Sequence, residues 1–274
     1  MPSELSDLLK PVVDIAQAAG EAILPFYQSD SLAIRRKSDN TPVTDADIAA
    51  HQVIASGLAE LNDWPLLSEE DDIPPFSVRK DWSRFWISDP LDGTRGFIHG
   101  HDEFTVNIAV IESHEPVLGV IYAPVSKKLY YAARDVGAFM KIGDAVPIPL
   151  RVSDRPFEAS RFVVGKYHKL RRIQPVLEQM PKAELLRLNS SLKFTAIASG
   201  EADIYARFGP ISEWDTAAGH CILEEAGGKV VDFNGQRLQY NAGEALLCPP
   251  FLAVGNPAHI HALIELFKEG ESRV

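Results

Sequence analysis

The spacing of hydrophobic and polar positions changes along the chain, and each change predicts a different element. Over the first 28 residues apolar side chains recur every three or four positions, as they do on one face of a helix. A second helical pattern follows Thr44 or Asp45, either of which can cap its first turn. Between residues 65 and 133 short apolar runs predict strands. The elements predicted for this half are helices over 1–28 and 45–61, a loop over 74–81, and strands over 65–68, 85–87, 104–112, 116–122 and 129–133.

The pattern of hydrophobic and polar residues changes between residues 147 and 156, where three prolines occur. We place a domain boundary here, with an N-terminal domain over 1–148 and a C-terminal domain over 149–274. Helical and strand patterns alternate beyond it, so the chain is predicted to be α/β or layered α+β. The elements predicted for this half are helices over 170–180 (broken near Pro175), 191–199, 214–225 and 259–268, and strands over 162–164, 185–188, 203–206, 230–231, 246–247 and 252–254.

Composition and charge narrow the classes of function. Hydrophobic residues make up 46% of the 274 positions and charged residues 24%, an ordinary globular balance. The formal net charge of -11 argues against broad binding to nucleic acid, whose backbone requires clustered cations. A small phosphorylated ligand remains compatible with this charge, because a metal ion or a few local cations can reverse its sign inside a cleft.

Cysteine usage and the first helix bear on the compartment. Cys221 and Cys248 are the only cysteines, and they form neither a Cys-x-x-Cys pair nor a disulfide framework. Asp7, Asp14 and Glu21 interrupt the first helix, which therefore predicts neither a signal peptide nor a membrane span. We expect a cytoplasmic protein. Peripheral association with the inner membrane and the choice between monomer and homodimer are left open.

The strongest chemical signal is the run Asp89-Pro90-Leu91-Asp92-Gly93-Thr94, directly after a predicted buried strand. Two carboxylates three positions apart, on either side of a proline, can point to the same side of a turn. Mg²⁺ prefers such hard oxygen ligands. Gly93 would let the backbone approach a ligand closely. The run taken alone is equally compatible with an ordinary acidic turn.

Two distant segments favour the functional interpretation. The run Ser68-Glu69-Glu70-Asp71-Asp72 follows a predicted strand, where sheet proteins place their active-site loops, although such a run can also be a solvated surface. The segment 214–228 begins with Trp214-Asp215 and ends with Gly227-Gly228. Small residues at its start would allow close packing beside Asp215, although that side chain could equally be a plain helix cap.

Together these three motifs resemble the signature motifs of the inositol monophosphatase superfamily in order and separation. Within that superfamily the chain is most similar to the CysQ-type 3'(2'),5'-bisphosphate nucleotidases. The resemblance implies the alternating αβαβα sandwich of that fold. The supporting stretches are Gly96-Phe97-Ile98, Glu103-Phe104-Thr105-Val106-Asn107-Ile108-Ala109, Ser190-Ser191-Leu192-Lys193-Phe194 and Arg207-Phe208-Gly209-Pro210.

The resemblance also implies a set of metal ligands and a catalytic pair. The implied Mg²⁺ ligands are the carboxylates of Glu69, Asp89, Asp92 and Asp215 and the backbone carbonyl of Leu91. Asp47 is implied to act with Thr94 in orienting and deprotonating the attacking water. Converging carboxylates without metal would repel one another and raise their pKa values, so the cluster makes physical sense with two or more divalent cations.

Substrate selection is implied by residues outside the metal motifs. Lys193 and Arg207 would contact a second phosphate on a nucleotide. Phe208 stands where inositol-directed members carry an acid, and an apolar ring suits a base or ribose face better than a polyol. Two departures are Asn189 and the stretch 165–168, which only partly matches the family. Glycine is usual at the first of these positions, but asparagine also tolerates the positive φ that the turn is expected to need. The remaining substrate-binding residues implied by the resemblance are Gly93, Thr94, Ser190, His168 and Asp215.

These observations predict a Mg²⁺-dependent phosphomonoesterase that hydrolyses adenosine 3',5'-bisphosphate to AMP and phosphate. The sulfated analogue, which would give adenosine 5'-phosphosulfate, is a second candidate substrate. The resemblance places the reaction in sulfur assimilation and implies sensitivity to lithium. One alternative is an inositol or other sugar phosphatase on the same scaffold. An alternative of another class is a catalytically silent, metal-dependent nucleotide-binding regulator.

Overall fold

The computed structural model describes residues 4–29, 34–36 and 42–271. Within these ranges the chain forms eight helices and fourteen strands, joined by 3₁₀ turns at Leu24–Phe26, Phe157–Ala159, Glu213–Asp215 and Pro257–His259. The helices are α1 (Glu4–Ile23), α2 (Asp45–Leu61), α3 (Phe76–Arg79), α4 (Thr94–Ile98), α5 (Gln174–Gln179), α6 (Leu192–Ala198), α7 (Ala217–Glu225) and α8 (Ile260–Glu271). The strands are β1 (Ile34–Arg36), β2 (Pro42–Thr44), β3 (Leu66–Ser68), β4 (Arg84–Asp92), β5 (Thr105–Glu112), β6 (Glu115–Ala123), β7 (Lys128–Ala133), β8 (Gly137–Ile142), β9 (Ile148–Pro149), β10 (Arg161–Val164), β11 (Glu184–Arg187), β12 (Ile204–Arg207), β13 (Lys229–Asp232) and β14 (Phe251–Val254).

Two sheets organise the described residues, beside a small antiparallel pair formed by β1 and β2. The larger sheet has seven strands in the order β3 to β9, with β3 parallel to β4 and every other neighbour antiparallel. The smaller sheet has the order β11-β10-β12-β14-β13, in which the first three strands are parallel.

Side-chain alternation along the strands builds five layers. On β4, Trp86 faces the core under α1 and α2, whereas Phe85 and Ile87 face the core that contains α6 and α7. This alternation is the period of two that a strand imposes, and it lets one sheet serve two cores. The second sheet does the same: Val163 faces α6 and α7, and Phe162 faces α5 and α8. The order is therefore helices, sheet, helices, sheet, helices, and the predicted αβαβα sandwich is confirmed.

Most predicted elements occur where the pattern places them, and Thr44 caps α2 through a capping box with Asp47. Six predictions were wrong in detail. The helix predicted over 1–28 ends at Ile23 and is followed by a 3₁₀ turn, and its first three residues lie outside the described part of the chain. The loop over 74–81 contains α3, and the strand predicted to end at residue 87 continues through Asp92. The helix over 170–180 begins only at Gln174, so Pro175 lies in its first turn, where its missing N–H costs nothing. The helix over 214–225 is a 3₁₀ turn followed by α7, and residues 246–247 form only an isolated bridge at Leu247.

The division into two domains stays a prediction. The seven-stranded sheet ends at Pro149, close to the proposed boundary. However, α6 and α7 from the second half pack against strands of both sheets, so the two halves share one core. Among the described residues no helix is both long enough and apolar enough to cross a bilayer. The oligomeric state also stays a prediction.

Candidate metal and phosphate site

Three segments of the chain meet at one edge of the seven-stranded sheet. Because β3 and β4 are parallel and paired from Leu66 and Trp86 onward, their carboxyl ends lie side by side. Glu69 follows β3, and Asp89 lies near the end of β4. The 3₁₀ turn that precedes α7 brings Asp215 to the same place. Carboxylate oxygens of these three residues lie within 4.8 Å of one another. They line a cavity of about 440 Å³ together with Leu91, Asp92, Gly93 and Thr94.

Burial and mutual repulsion make this cluster unfavourable without a counter-charge. Desolvation, followed by the charge of Glu69, raises the pKa of Asp89 well above its usual range. Burial, followed by the charge of Asp92, raises the pKa of Asp215 to about 8. Hard carboxylate oxygens that gather in this way are the donor set of a divalent cation, and the residues present fit one.

Asp47 lies beside this cluster, in the first turn of α2. Its Oδ2 accepts hydrogen bonds from the backbone N–H and the hydroxyl of Thr44 at 2.7 and 2.6 Å. Its Oδ1 lies 3.1 Å from the hydroxyl oxygen of Thr94, which is also 3.1 Å from the carbonyl oxygen of Leu91. Burial raises the pKa of Asp47 despite these bonds. The carboxylate of Asp47 and the carbonyl of Leu91 thus both lie within hydrogen-bonding distance of the Thr94 hydroxyl, whose one proton can go to either.

Gly93 and Ser190 form a close contact that glycine alone permits. Gly93 has φ +100°, and a Cβ at this position would lie 2.4 Å from Ser190 Oγ. Ser190 Oγ lies 3.0 Å from the carbonyl oxygen of Asp92 and 2.7 Å from that of Glu103, and its proton is directed to these acceptors. The left-handed residue of this turn is Ser190, with φ +55°, and not the expected Asn189. Ser190 therefore ties the start of α6 to the end of β4.

Lys193 is a buried cation next to the carboxylates. It is 7% exposed, its ammonium donates to the carbonyl of Ser190, and it lies 5.4 Å from the ring centroid of Tyr205. Burial lowers the pKa of Lys193 to about 8, and the charge of Asp92 opposes this effect. Burial raises the pKa of Asp92 to about 6, and Lys193 opposes it in turn. An ordinary surface lysine is neither buried in this way nor close enough to a carboxylate for the two groups to change each other's pKa.

Arg207 and His168 stand at the outer side of the cavity. One guanidinium nitrogen of Arg207 lies 2.8 Å from His168 Nε2, and the others donate to the carbonyls of Gly209 and Pro210. Because guanidinium is always a donor, Nε2 is the accepting nitrogen of His168. Burial, followed by the charge of Arg207, lowers the pKa of this histidine. The structure therefore brings two of the predicted substrate-binding residues, Arg207 and His168, together.

Phe208 has a different environment from the one expected. Its ring stacks on Phe233 at a centroid distance of 5.1 Å and meets the edge of Phe267 at 5.3 Å. The guanidinium of Arg172 lies 4.9 Å from the ring centroid. The ring thus belongs to the outer aromatic cluster beneath α8, although it also lines a neighbouring cavity. Its position is explained by packing, and a contact with a base stays a prediction.

Two further cavities open beside the carboxylates. One of about 360 Å³ is lined by Gly93, Ser190 and Lys193, and by Tyr167 and His168. The other, of about 390 Å³, shares Tyr167 and His168 with the first and is also lined by Arg207. A ligand longer than a single phosphate ester could therefore extend from the carboxylates past cationic side chains.

Several residues of the site were not singled out from the sequence. Ser191 Oγ lies 2.8 Å from both Asn107 Oδ1 and Thr105 Oγ1, which joins α6 to β5 beneath the cavity. Tyr167 hydroxyl lies 2.8 Å from His101 Nε2, across the mouth of the second cavity. Asn107 interrupts an otherwise apolar buried strand, and this is the one signal in the sequence that could have revealed it.

The chain has a layered αβαβα fold, and one edge of its larger sheet brings carboxylates together beside a buried lysine. This combination defines a class of metal-dependent proteins that bind small phosphorylated molecules. The chain belongs to the inositol monophosphatase family, whose model matches residues 4–270. It is 45% identical over 246 residues to the 3'(2'),5'-bisphosphate nucleotidase CysQ of Salmonella typhimurium, covering 89% of this chain and 98% of that one.

Solved structures agree with this assignment. The fold is similar to that of CysQ from Bacteroides thetaiotaomicron, with a TM-score of 0.80, 36% identity, and coverage of 90% of this chain and 96% of that one. It is also similar to an inositol monophosphatase from Anabaena, with a TM-score of 0.76, 26% identity and 97% coverage of each chain. The predicted family resemblance is thereby confirmed.

Proposed function

We propose that this chain is a Mg²⁺-dependent phosphomonoesterase that hydrolyses adenosine 3',5'-bisphosphate to AMP and phosphate. The sulfated analogue is its second substrate. The observation that carries the proposal is Lys193, a buried cation that lines the cavity next to the carboxylate cluster. Relatives that share 38–45% identity and carry the name 3'(2'),5'-bisphosphate nucleotidase support it.

Glu69, Asp89, Asp92 and Asp215 and the carbonyl of Leu91 would hold two or more Mg²⁺ ions. When bound, such ions neutralise phosphate oxygens and lower the pKa of a coordinated water. The closeness of the carboxylate oxygens and the raised pKa values of Asp89 and Asp215 support this assignment. Asp215 would also lie against the substrate, because it faces the same cavity.

Asp47 and Thr94 would orient the attacking water and accept its proton. Thr94 has a single hydroxyl proton, and the carboxylate of Asp47 is a stronger acceptor than the carbonyl of Leu91. With that proton directed to Asp47, the lone pairs of Thr94 are free to accept from water. The water oxygen forms a bond to phosphorus as the bond between phosphorus and the ribose 3'-oxygen breaks. The water proton passes to Asp47, and the leaving oxygen takes a proton from solvent.

The second phosphate of the substrate would be held away from the reacting one. Lys193 and Arg207 supply positive charge, and His168 is within hydrogen-bonding distance of that guanidinium. Gly93 and Ser190 line the adjoining cavity together with Lys193, and the hydroxyl of Ser190 fixes the turn. An inositol monophosphate carries no second phosphate, so it would leave the buried Lys193 without an anionic ligand partner.

A substrate panel with Mg²⁺ tests the proposal. Wild-type protein should hydrolyse adenosine 3',5'-bisphosphate with a higher kcat/KM than inositol 1-phosphate, and the opposite order would make it an inositol phosphatase. Release of no phosphate from any substrate, with retained nucleotide binding by the Asp92→Asn variant, would instead indicate a silent regulator.

The Lys193→Met variant tests the assignment of the second phosphate. Methionine keeps the buried aliphatic stem and removes the charge. Loss of one charge-assisted contact should lower kcat/KM for the bisphosphate nucleotide by about 10- to 100-fold. The rate on inositol 1-phosphate should change much less, and the ratio of the two rates is the measurement. Lys182→Ala, which changes an exposed lysine, is the control. An equal loss on both substrates would contradict the assignment.

A further inference from the structure

His51 lies beside the proposed metal site but belongs to none of its motifs. It is on α2, one helical turn after Asp47, and its side chain is 14% exposed. Its Nδ1 lies 3.0 Å from Ser68 Oγ, and its Nε2 lies 3.2 Å from a carboxylate oxygen of Asp71. One ring therefore contacts both ends of the segment that contains Glu69.

The hydrogen-bond partners determine where the proton of the ring lies. Asp71 offers only acceptors, so Nε2 of His51 carries the proton and donates. Nδ1 then accepts from the hydroxyl of Ser68, which in turn lies 3.4 Å from the backbone N–H of Glu70. Every polar atom along this path has a partner of the correct kind. The path begins on α2 and ends on the loop at residues 69–72.

Serine, histidine and aspartate in contact resemble the triad of a hydrolase, but the burial excludes that role. Ser68 is 1% exposed and lies in β3, so no ester could reach its hydroxyl. The same burial holds the Ser68 hydroxyl in one position, where it can bond to His51. The backbone N–H of Glu69 donates to the carbonyl of Ser88 at 3.2 Å, and that of Asp71 donates to the carbonyl of Ser68 at 3.3 Å. Neither of these bonds connects the loop to α2.

We propose that His51 is a positioning residue that holds Glu69 at a fixed distance from Asp47. This inference rests on the proposed function, because it assigns Glu69 to the metal site and Asp47 to the water. The contacts to Ser68 and Asp71 tie the loop that carries Glu69 to the helix that carries Asp47. Without His51 the loop would lose its side-chain contacts to α2 through Ser68 and Asp71, and the carboxylate of Glu69 would be less well ordered for a cation.

Direct titration with Mg²⁺ alone, followed by calorimetry, tests this inference without substrate. His51→Ala should weaken Mg²⁺ binding by about 10-fold or more, the usual effect of removing an outer hydrogen-bond partner of a metal site. His51→Asn places an amide near the position of Nδ1, and His51→Gln places one near Nε2. We expect Asn to restore more affinity than Gln, because Ser68 is buried and adjoins Glu69, whereas Asp71 is 47% exposed. His261→Ala, on the exposed side of α8, should bind Mg²⁺ as the wild type does.

Turnover provides an independent measurement. In His51→Ala the Mg²⁺ concentration that gives half-maximal rate should rise by the same factor as the dissociation constant, while KM for the nucleotide at saturating Mg²⁺ changes little. Ser68→Ala should reproduce part of the loss, and the double variant should lose less than the sum of the two single variants. A structural role alone would lower the melting temperature and leave Mg²⁺ affinity unchanged.

The outcomes separate this inference from the proposed function. If wild-type protein binds Mg²⁺ and His51→Ala binds it equally well, the positioning role is overturned and the proposed function stands. Failure of both Asn and Gln to exceed Ala would also overturn it, because the hydrogen bonds would then not be the cause. Wild-type protein that binds no Mg²⁺ would overturn the proposed function and this inference with it.

Discussion

At the scale of single residues, the hydroxyl of Thr94 occupies the most constrained position in the site. It lies 3.1 Å from Asp47 Oδ1 and 3.1 Å from the carbonyl oxygen of Leu91, and it has one proton to donate. Both neighbours are acceptors, so the proton goes to one of them at a time, and the carboxylate of Asp47 is the stronger acceptor. The hydroxyl therefore links α4 to Asp47 on α2. A methyl group of the same size would keep the packing and break this link.

Replacing Thr94 with valine should therefore affect catalysis more than folding. We expect kcat to fall by about 100-fold or more, because positioned proton transfer typically contributes factors of that order. KM should change less than kcat, since the hydroxyl is assigned to the water, although Thr94 is also among the residues implied to bind the substrate. Steady-state kinetics at saturating Mg²⁺ measures both values. Thr94→Ser retains the hydroxyl and is the matched control; a valine variant with wild-type kcat would refute the role of Thr94.

Proximity of the predicted site residues could be anticipated from the sequence where they belong to contiguous motifs, and their roles stay predictions. Asp89, Asp92 and Thr94 are near neighbours along the chain, and the structure places their side chains or backbone at one cavity. Contacts between distant positions were not predictable in this way. His51 meets Ser68 only because α2 packs beside β3, and no local spacing encodes that pairing. The left-handed conformation occurs at Ser190 and not at Asn189, and the hydroxyl of Ser190 donates to carbonyls of Asp92 and Glu103, which are distant in the sequence.

At the scale of elements, β6 and α7 pack so closely that one glycine is required between them. A Cβ on Gly119 would lie 2.5 Å from the carbonyl oxygen of Ala218 and 3.0 Å from its Cα. Both are backbone atoms, so no side-chain rotation could relieve the clash. Because α7 follows the turn that carries Asp215, displacement of this helix would also displace a proposed metal ligand.

Gly119→Ala should accordingly destabilise the protein and weaken Mg²⁺ binding together. Overpacking of a core contact costs about 1–3 kcal/mol, and backbone contact places this case toward the upper end. Urea denaturation gives the free energy of unfolding, and titration with Mg²⁺ reports on the metal site. Gly243→Ala is the control, because a Cβ there would meet nothing within 4 Å. If the two variants had the same free energy of unfolding, α7 could move away from β6 without destabilising the protein.

Elements were predictable when their own residues determine them. The first helix has a continuous apolar stripe, and β5 and β6 are long apolar runs separated by a tight turn, so both predictions were confirmed. The strands β8 and β9 were not predicted, because much of their surface is exposed and their sequences lack a regular alternation. The short helix α3 forms around Arg79, which donates to the side chain of Asn241, 162 positions away in the sequence. Only the folded chain supplies such a partner.

At the scale of the whole molecule, proton binding and folding are coupled through the carboxylate cluster. Burial and mutual repulsion raise the pKa of Asp92 to about 6 and that of Asp215 to about 8, and they raise that of Asp89 as well. In the unfolded chain these groups titrate near pH 4. The metal-free folded state therefore binds more protons than the unfolded state at neutral pH, and its stability falls as the pH rises through the folded-state values.

The metal-free protein should accordingly lose thermal stability between pH 6.5 and 8. This window begins at the usual pKa of histidine, so histidines lose their charge mostly below it. Lys193, with a pKa lowered to about 8, acts in the opposite direction only above it. Mg²⁺ requires ionised carboxylates, so the increase in melting temperature caused by a fixed Mg²⁺ concentration should be larger at pH 8 than at pH 6.5. Thermal unfolding in chelator and in Mg²⁺ across this range measures both effects. Asp89→Asn should reduce the dependence of stability on pH and abolish most of the increase in melting temperature that Mg²⁺ causes.

A metal-free melting temperature that rises over this range would show that the carboxylates of the cluster do not repel one another as their geometry implies.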